Sequence, residues 1–182
     1  MNRVVKEIIN RIYKENDCDF FLEKCSQILT LPKKLHTVIE DNGIKIVEYK
    51  KPDIYPSAKW KFHFKKVVKG EFEASFSSVL LISKLIKVFY LQHEFIVINK
   101  DEDRILPDLD GFSGQAYSKS QYNFDDEICK SLLELGFIRL TYAEISETVP
   151  DLFFPEEVTI FGSQVTVEYL VFEDILSPCP KN

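Results

Sequence analysis

The sequence predicts an α+β fold: one domain of 182 residues, built on an antiparallel sheet of about five or six strands with helices packed on one face. Three observations predict it. Residues 3–15, "RVVKEIINRIYKE", place apolar side chains at intervals of three and four, the period of an amphipathic helix. "WKFHFKKVVKGEFEASF" alternates apolar and polar residues on both sides of a glycine, as a hairpin does. "NFDDEICKSLLELG" has acids in its first turn, apolar residues at helical spacing and a terminal glycine. With 45% apolar and 29% charged residues, the chain has the composition of a folded domain with its own core.

Val4, Val5, Ile8, Ile9 and Ile12 form the inner face of the first helix. "NDCD" breaks it, and Phe20, Phe21, Cys25, Ile28 and Leu29 suggest a second short helix before Pro32. "LHTVIEDNGIKIVEY" reads as a hairpin turning at Asn42-Gly43, with Ile39 facing Ile46 and Glu40 facing Lys45. In the next hairpin a three-residue loop, Val68-Lys69-Gly70, sets Trp60, Phe62 and Phe64 opposite Ser78, Phe76 and Ala74, with Gly70 left-handed. The strand continues through "SVLLI", and Val88–Ile98 returns antiparallel; a helix over 79–87 is the alternative. Residues 99–123 show weak periodicity and read as a long loop. A helix over 124–135 follows, capped by Asn123 and closed by Gly136. Thr141 and Glu144 match a capping box for a short helix to about Val149. "EVTIFGSQVTVEYLVF" reads as a hairpin turning at Gly162-Ser163. Both N-terminal helices and the 124–135 helix are expected on the sheet.

Motifs for chemistry are sparse. "QHEFIV" has His93 and Glu94 but Val97 where a zinc protease places its second histidine. On a strand, His93 and Glu94 point to opposite faces. Their plainest reading is a hydrogen-bonded histidine on an apolar face. The four cysteines, Cys18, Cys25, Cys129 and Cys179, match no zinc spacing and are expected as thiols. Phosphate-binding glycine loops and a nucleophile elbow are missing from the sequence. No cofactor or metal is therefore expected. The lysines of "KWKFHFKKVVK" alternate with aromatics and read as a solvated sheet surface. The opening "MNRVVKEIIN" lacks a secretory signal, and Lys84 and Lys87 interrupt the most apolar run. The expected location is the cytoplasm, off the membrane.

Charge is unevenly distributed. Residues 1–69 carry 15 Lys/Arg against 9 Asp/Glu, and residues 70–182 carry 8 against 20. The acidic part disfavours nucleic acid and favours a basic partner. Acids cluster at Asp101, Glu102, Asp103, Asp108, Asp110, Asp125 and Asp126, and Phe112, Tyr117, Tyr122 and Phe124 lie among them. Aromatics supply buried contact area, and carboxylates steer a cationic partner. The competing readings are a solvated acidic loop and aromatics that pin it to the core.

The stretch "FYLQHEFIVINKDEDRILPDLDGFSGQAYSKSQ", with "LLELGFIRLTYAEI" after it, resembles small bacterial proteins of the toxin-immunity type. The resemblance spans roughly residues 70–150 and lies in an acidic single-domain chain with aromatic strands and an acidic loop before a helix. It implies a non-enzymatic protein that binds and blocks a protein partner, a cognate toxin such as a cationic enzyme. The resemblance carries over no individual residues; the loop's own acids and aromatics make Asp101, Asp103, Asp108, Asp110, Phe112, Tyr117 and Tyr122 the expected partner-binding residues. Two alternatives stay open: a small enzyme using His93 with acidic residues, and a subunit or scaffold that self-associates through an aromatic patch.

Overall fold

Helix α1 (Arg3–Ile9) begins where the Asn2 side chain accepts a hydrogen bond from the Val4 amide. It widens into a π-helical turn over Asn10–Lys14, where the Glu15 N–H reaches back to the Asn10 carbonyl at 2.9 Å. Val5, Ile8, Ile9 and Ile12 are buried, whereas Val4 is exposed. Asp17 caps α2 (Cys18–Cys25) by accepting from the Phe20 amide. Ile28 lies beyond that helix and is solvated. The structure is a computed structural model and describes residues 1–49, 55–101, 103, 109–154, 164–173, 176 and 178–179.

The expected hairpin at 35–49 is instead helix α3 (Lys33–Asp41) followed by strand β1 (Lys45–Tyr49). Leu35 and Ile39 sit four apart and are both buried. Gly43 takes φ +61°, its N–H donates to the Glu40 carbonyl, and the Ile44 N–H donates to the Ile39 carbonyl. A left-handed glycine ends a helix as readily as it turns a hairpin. Here the helical spacing prevails, so Ile39 and Ile46 do not pair across strands.

The sheet contains β1, β2 (Ser57–His63), β3 (Val67–Lys69), β4 (Phe72–Ser83), β5 (Val88–Asn99), β6 (Leu109–Ser113) and β7 (Ile138–Arg139). Its order is β1-β2-β4-β5-β6, with β3 on β4 and β7 on β5. All pairings are antiparallel except β7 on β5. The α+β class holds, with seven strands in this sheet among the described residues. The long β4–β5 pair confirms the strand reading of residues 79–83 and removes the helical alternative. The preceding hairpin forms, but its register differs. Trp60 pairs with Leu80, Phe62 with Ser78 and Lys69 with Phe72, leaving Gly70-Glu71 as the loop. The pairing slips by one residue across 64–66, so a bulge sits there. The observed shift at Trp60 and Phe62 is two residues, so these rings keep their expected face. Gly70 is left-handed as expected, with φ +61°.

The stretch 99–123 holds a strand and a helix start, not only a loop. Helix α4 (Lys119–Glu134) begins at Ser118, whose hydroxyl accepts from the Gln121 amide while the Gln121 side chain accepts from the Ser118 amide. This capping box displaces Asn123 as the cap. Gly136, at φ +80°, follows its last turn. The Thr141–Glu144 capping box forms, but α5 (Tyr142–Ile145) lasts one turn. Strand β8 (Thr148–Phe153) pairs with β9 (Gln164–Thr166), and the chain then enters α6 (Val167–Val171). The expected second arm of the C-terminal hairpin is thus mostly helix; its first arm and Gly162-Ser163 lie outside the described residues.

Helices cover both faces of the sheet rather than one. Leu81, Val88 and Tyr90 pack against α1, α2, α5 and α6. Leu80, Ile82, Phe89 and Leu91 pack against α3 and α4 through Leu35, Phe124, Ile128 and Leu132. A central strand that is apolar on both sides needs cover on both. None of the four cysteines forms a disulfide. No helix among the described residues is long and apolar enough to cross a membrane.

Candidate functional site: the acidic, aromatic edge of the sheet

Strands β6 and β7 lie end to end along one side of β5, since β6 pairs with residues 93–97 and β7 with residues 88–89. A cleft of about 520 Å³ opens near their junction. The 114–116 turn, Tyr122, Asp125 and Arg139 line it.

Helix α4 meets this edge through two polar residues one turn apart. Gln121 is fully buried and donates to the carbonyls of Ser77 at 2.8 Å and Glu94 at 3.0 Å. Its side-chain oxygen accepts from the amides of Tyr117 and Ser118. Asp125 accepts from both terminal nitrogens of Arg139, at 2.6 and 2.9 Å, and from the Cys129 thiol at 3.1 Å. His93 Nε2 lies 2.9 Å from Asp125, and Nδ1 lies 2.8 Å from the Ser78 hydroxyl. An ionised Asp125 only accepts, so Nε2 carries a proton. The Ser78 hydroxyl completes the bond to Nδ1 by donating to a neutral ring or accepting from a charged one.

Burial alone would raise the Asp125 pKa, but the hydrogen bonds of His93, Arg139 and Cys129 overcome it and hold the carboxyl well below the usual range. Burial pushes the Cys129 thiol up to about 11, and its bond to Asp125 adds to the rise. It therefore holds little thiolate at neutral pH and is a poor nucleophile. Ser78, His93 and Asp125 have the side chains of a hydrolytic triad. Yet Ser78 and His93 are 0% exposed, and the Asp125 oxygens are occupied by four donors. No reacting atom reaches the hydroxyl in this arrangement. His93 is the hydrogen-bonded histidine on an apolar face that its strand position suggests. The network bolts α4, β7 and β5 together.

Outside the bolts, side chains face solvent. Asp110 and Phe112 project from one face of β6, opposite Ile96 and Glu94 of β5. Phe112 is 59% exposed, and its ring centroid lies 6.3 Å from that of Tyr142. Tyr122, next to the buried Gln121, is 67% exposed. Burial would raise the Glu94 pKa, but hydrogen bonds from Lys61 and Ser77 win and lower it. A Cβ at Gly111 would sit 2.7 Å from Phe95 Cε1, so a side chain there requires the Phe95 ring to move.

The expected residues divide. Asp110 and Phe112 share a strand face, and Tyr122 is exposed on α4. Tyr117 is partly used in holding its loop, its ring 4.5 Å from that of Phe95. Asp101 shapes a turn by accepting from the Asp103 amide, and Asp103 is exposed. Asp108 lies outside the described residues. Phe124 belongs to the core, 4.5 Å from Phe62. The sequence reading missed Tyr142, Gln121 and Arg139. For Gln121 and Asp125 a signal exists: two polar residues four apart, adjoining the stripe of Phe124, Ile128 and Leu132. No group of His, Cys, Asp and Glu arranged to hold a metal occurs among the described residues. Comparisons with protein-family models, curated proteins and solved structures find no match to this chain.

Proposed function

We propose that this chain is a non-enzymatic binding protein of the immunity or inhibitor type, and that the β6–α4 edge docks a cationic protein. The observation that carries the reading is the pairing of exposed aromatics with exposed acid on a braced edge. Phe112 and Tyr142 approach each other, Tyr122 projects from α4, and Asp110 adjoins Phe112 along the strand. Large exposed rings on a rigid support lose little entropy on binding. Carboxylates raise the rate of encounter with a basic surface. The outcome would be occlusion of the partner's active surface.

Affinity capture from the source cell, with the wild-type chain and an Asp110→Lys/Phe112→Ala variant as baits, tests it. The expected result is a basic protein held by the wild type, released by salt and absent from the variant. If both baits hold the same proteins, the edge is not the interface. The captured protein's activity should fall when the wild-type chain is added back.

A further inference from the structure

The opposite edge of the sheet differs from β6 and carries its own inference. All five residues of β1 are exposed. Ile46 is 41% exposed, Val47 45% and Tyr49 43%. One side of the strand pairs with β2 in an unbroken register from Lys45↔His63 to Tyr49↔Lys59. The other side has no strand partner among the described residues. Natural edges are usually blunted by proline, a bulge, extreme shortness, charged side chains or a covering element; β1 carries two charges, Lys45 and Glu48, of opposite sign. Residues 45–49 have neither proline nor bulge.

We propose that β1 pairs with β1 of a second copy of this chain, antiparallel about a two-fold axis at Val47, so that two sheets become one. A two-fold perpendicular to the sheet keeps like faces together and requires each residue to meet one of the same face. Centring on Val47 sets Val47 against Val47, Lys45 against Tyr49 and Ile46 against Glu48. No like charges oppose one another. Lys45 faces a tyrosine ring, the kind of partner that ring already has in Lys59, 5.6 Å from its centroid.

A β1-to-β6 contact between copies is the weaker solution. Four antiparallel steps separate these strands, so they run the same way. Copies related by translation would then pair them in parallel and propagate without closing. The β1 pairing is antiparallel and closed.

The test is sedimentation of the full-length chain over a range of concentrations, with Val47→Lys and Val47→Glu variants. Val47 is exposed, so both variants should fold, which circular dichroism verifies. The expected result is a wild-type dimer, two monomeric variants, and a dimer on mixing the variants, because opposite charges then meet across the axis. A wild type that is monomeric throughout overturns the proposal. So does a Val47→Lys chain that dimerises like the wild type, or a mixture that stays monomeric. No partner protein enters this measurement, so its outcome is independent of the β6 reading.

Discussion

Strands β1 and β6 are both five residues long and end the same sheet, yet they are supported in opposite ways. Behind β6 stand the buried Gln121 and His93 and the half-buried Asp125 and Arg139, which join four elements through paired polar groups. Among the described residues β1 is preceded by the end of α3, closed by Gly43, and by the buried Ile44. An edge meant for a foreign surface gains from being fixed before contact, because ordering it later would weaken binding. An edge that pairs with its own copy obtains its order from the partner strand. Bracing, more than exposure, separates the two.

The largest test removes the centre of the brace. Asp125→Ala leaves Arg139 and His93 without their carboxylate and should cost about 3 kcal/mol or more, read by chemical denaturation. A similar loss from any β1 substitution would erase the contrast between the edges. Acid should act the same way on the wild type. The Asp125 pKa is lowered by folding, so its contribution is complete above the unfolded carboxylate range near ~3.9 and is lost as pH falls through its folded value. Glu73, held at about 2 chiefly by hydrogen bonds from Lys100 and Lys66, follows the same sign at the β3 end. Denaturation midpoints measured against pH should fall on the acid side, and Asp125→Asn should flatten that fall.

Gln121→Ala should come next, at about 1–3 kcal/mol, since it strands the buried carbonyls of Ser77 and Glu94. Gly111→Ala should cost about 1 kcal/mol or somewhat more, because the new Cβ forces the Phe95 ring to move. Phe95 is only half-buried and can give. A thermal melt of the Gly111→Ala/Phe95→Ala pair should show the glycine penalty vanish.

Much of this comparison could be read from residue order. The β4–β5 pair, the capping box at Thr141 and the closing Gly136 follow local rules that tertiary packing leaves intact. Two errors share a different cause. Asn42-Gly43 satisfies both a hairpin turn and a helix terminus, and only the buried spacing of Leu35 and Ile39 decides between them. The bulge over 64–66 has no local marker and follows from how β2 and β3 share one side of β4. At the site, Asp110, Phe112 and Tyr122 were legible as an acidic, aromatic run. That Phe124 turns inward while Tyr122 turns outward depends on where α4 begins, and Gln121 sets that start. Tyr142 was not legible, because the fold brings it to Phe112 from thirty positions away.

The smallest expected change in stability is the most informative for function. Asp110→Lys alters an exposed side chain, so stability should move by no more than ~0.5 kcal/mol. Its effect should instead fall on kinetics. Replacing a carboxylate by an ammonium at the rim of an acidic surface slows encounter with a basic protein and leaves dissociation nearly unchanged. Phe112→Ala should do the reverse, since a lost aromatic contact speeds dissociation while long-range steering persists. Stopped-flow association against the captured protein at low and high salt separates the two. Salt should erase the Asp110→Lys defect by screening the surface field and leave the Phe112→Ala defect in place. If both variants lose affinity through dissociation alone, the carboxylate contributes contact rather than steering.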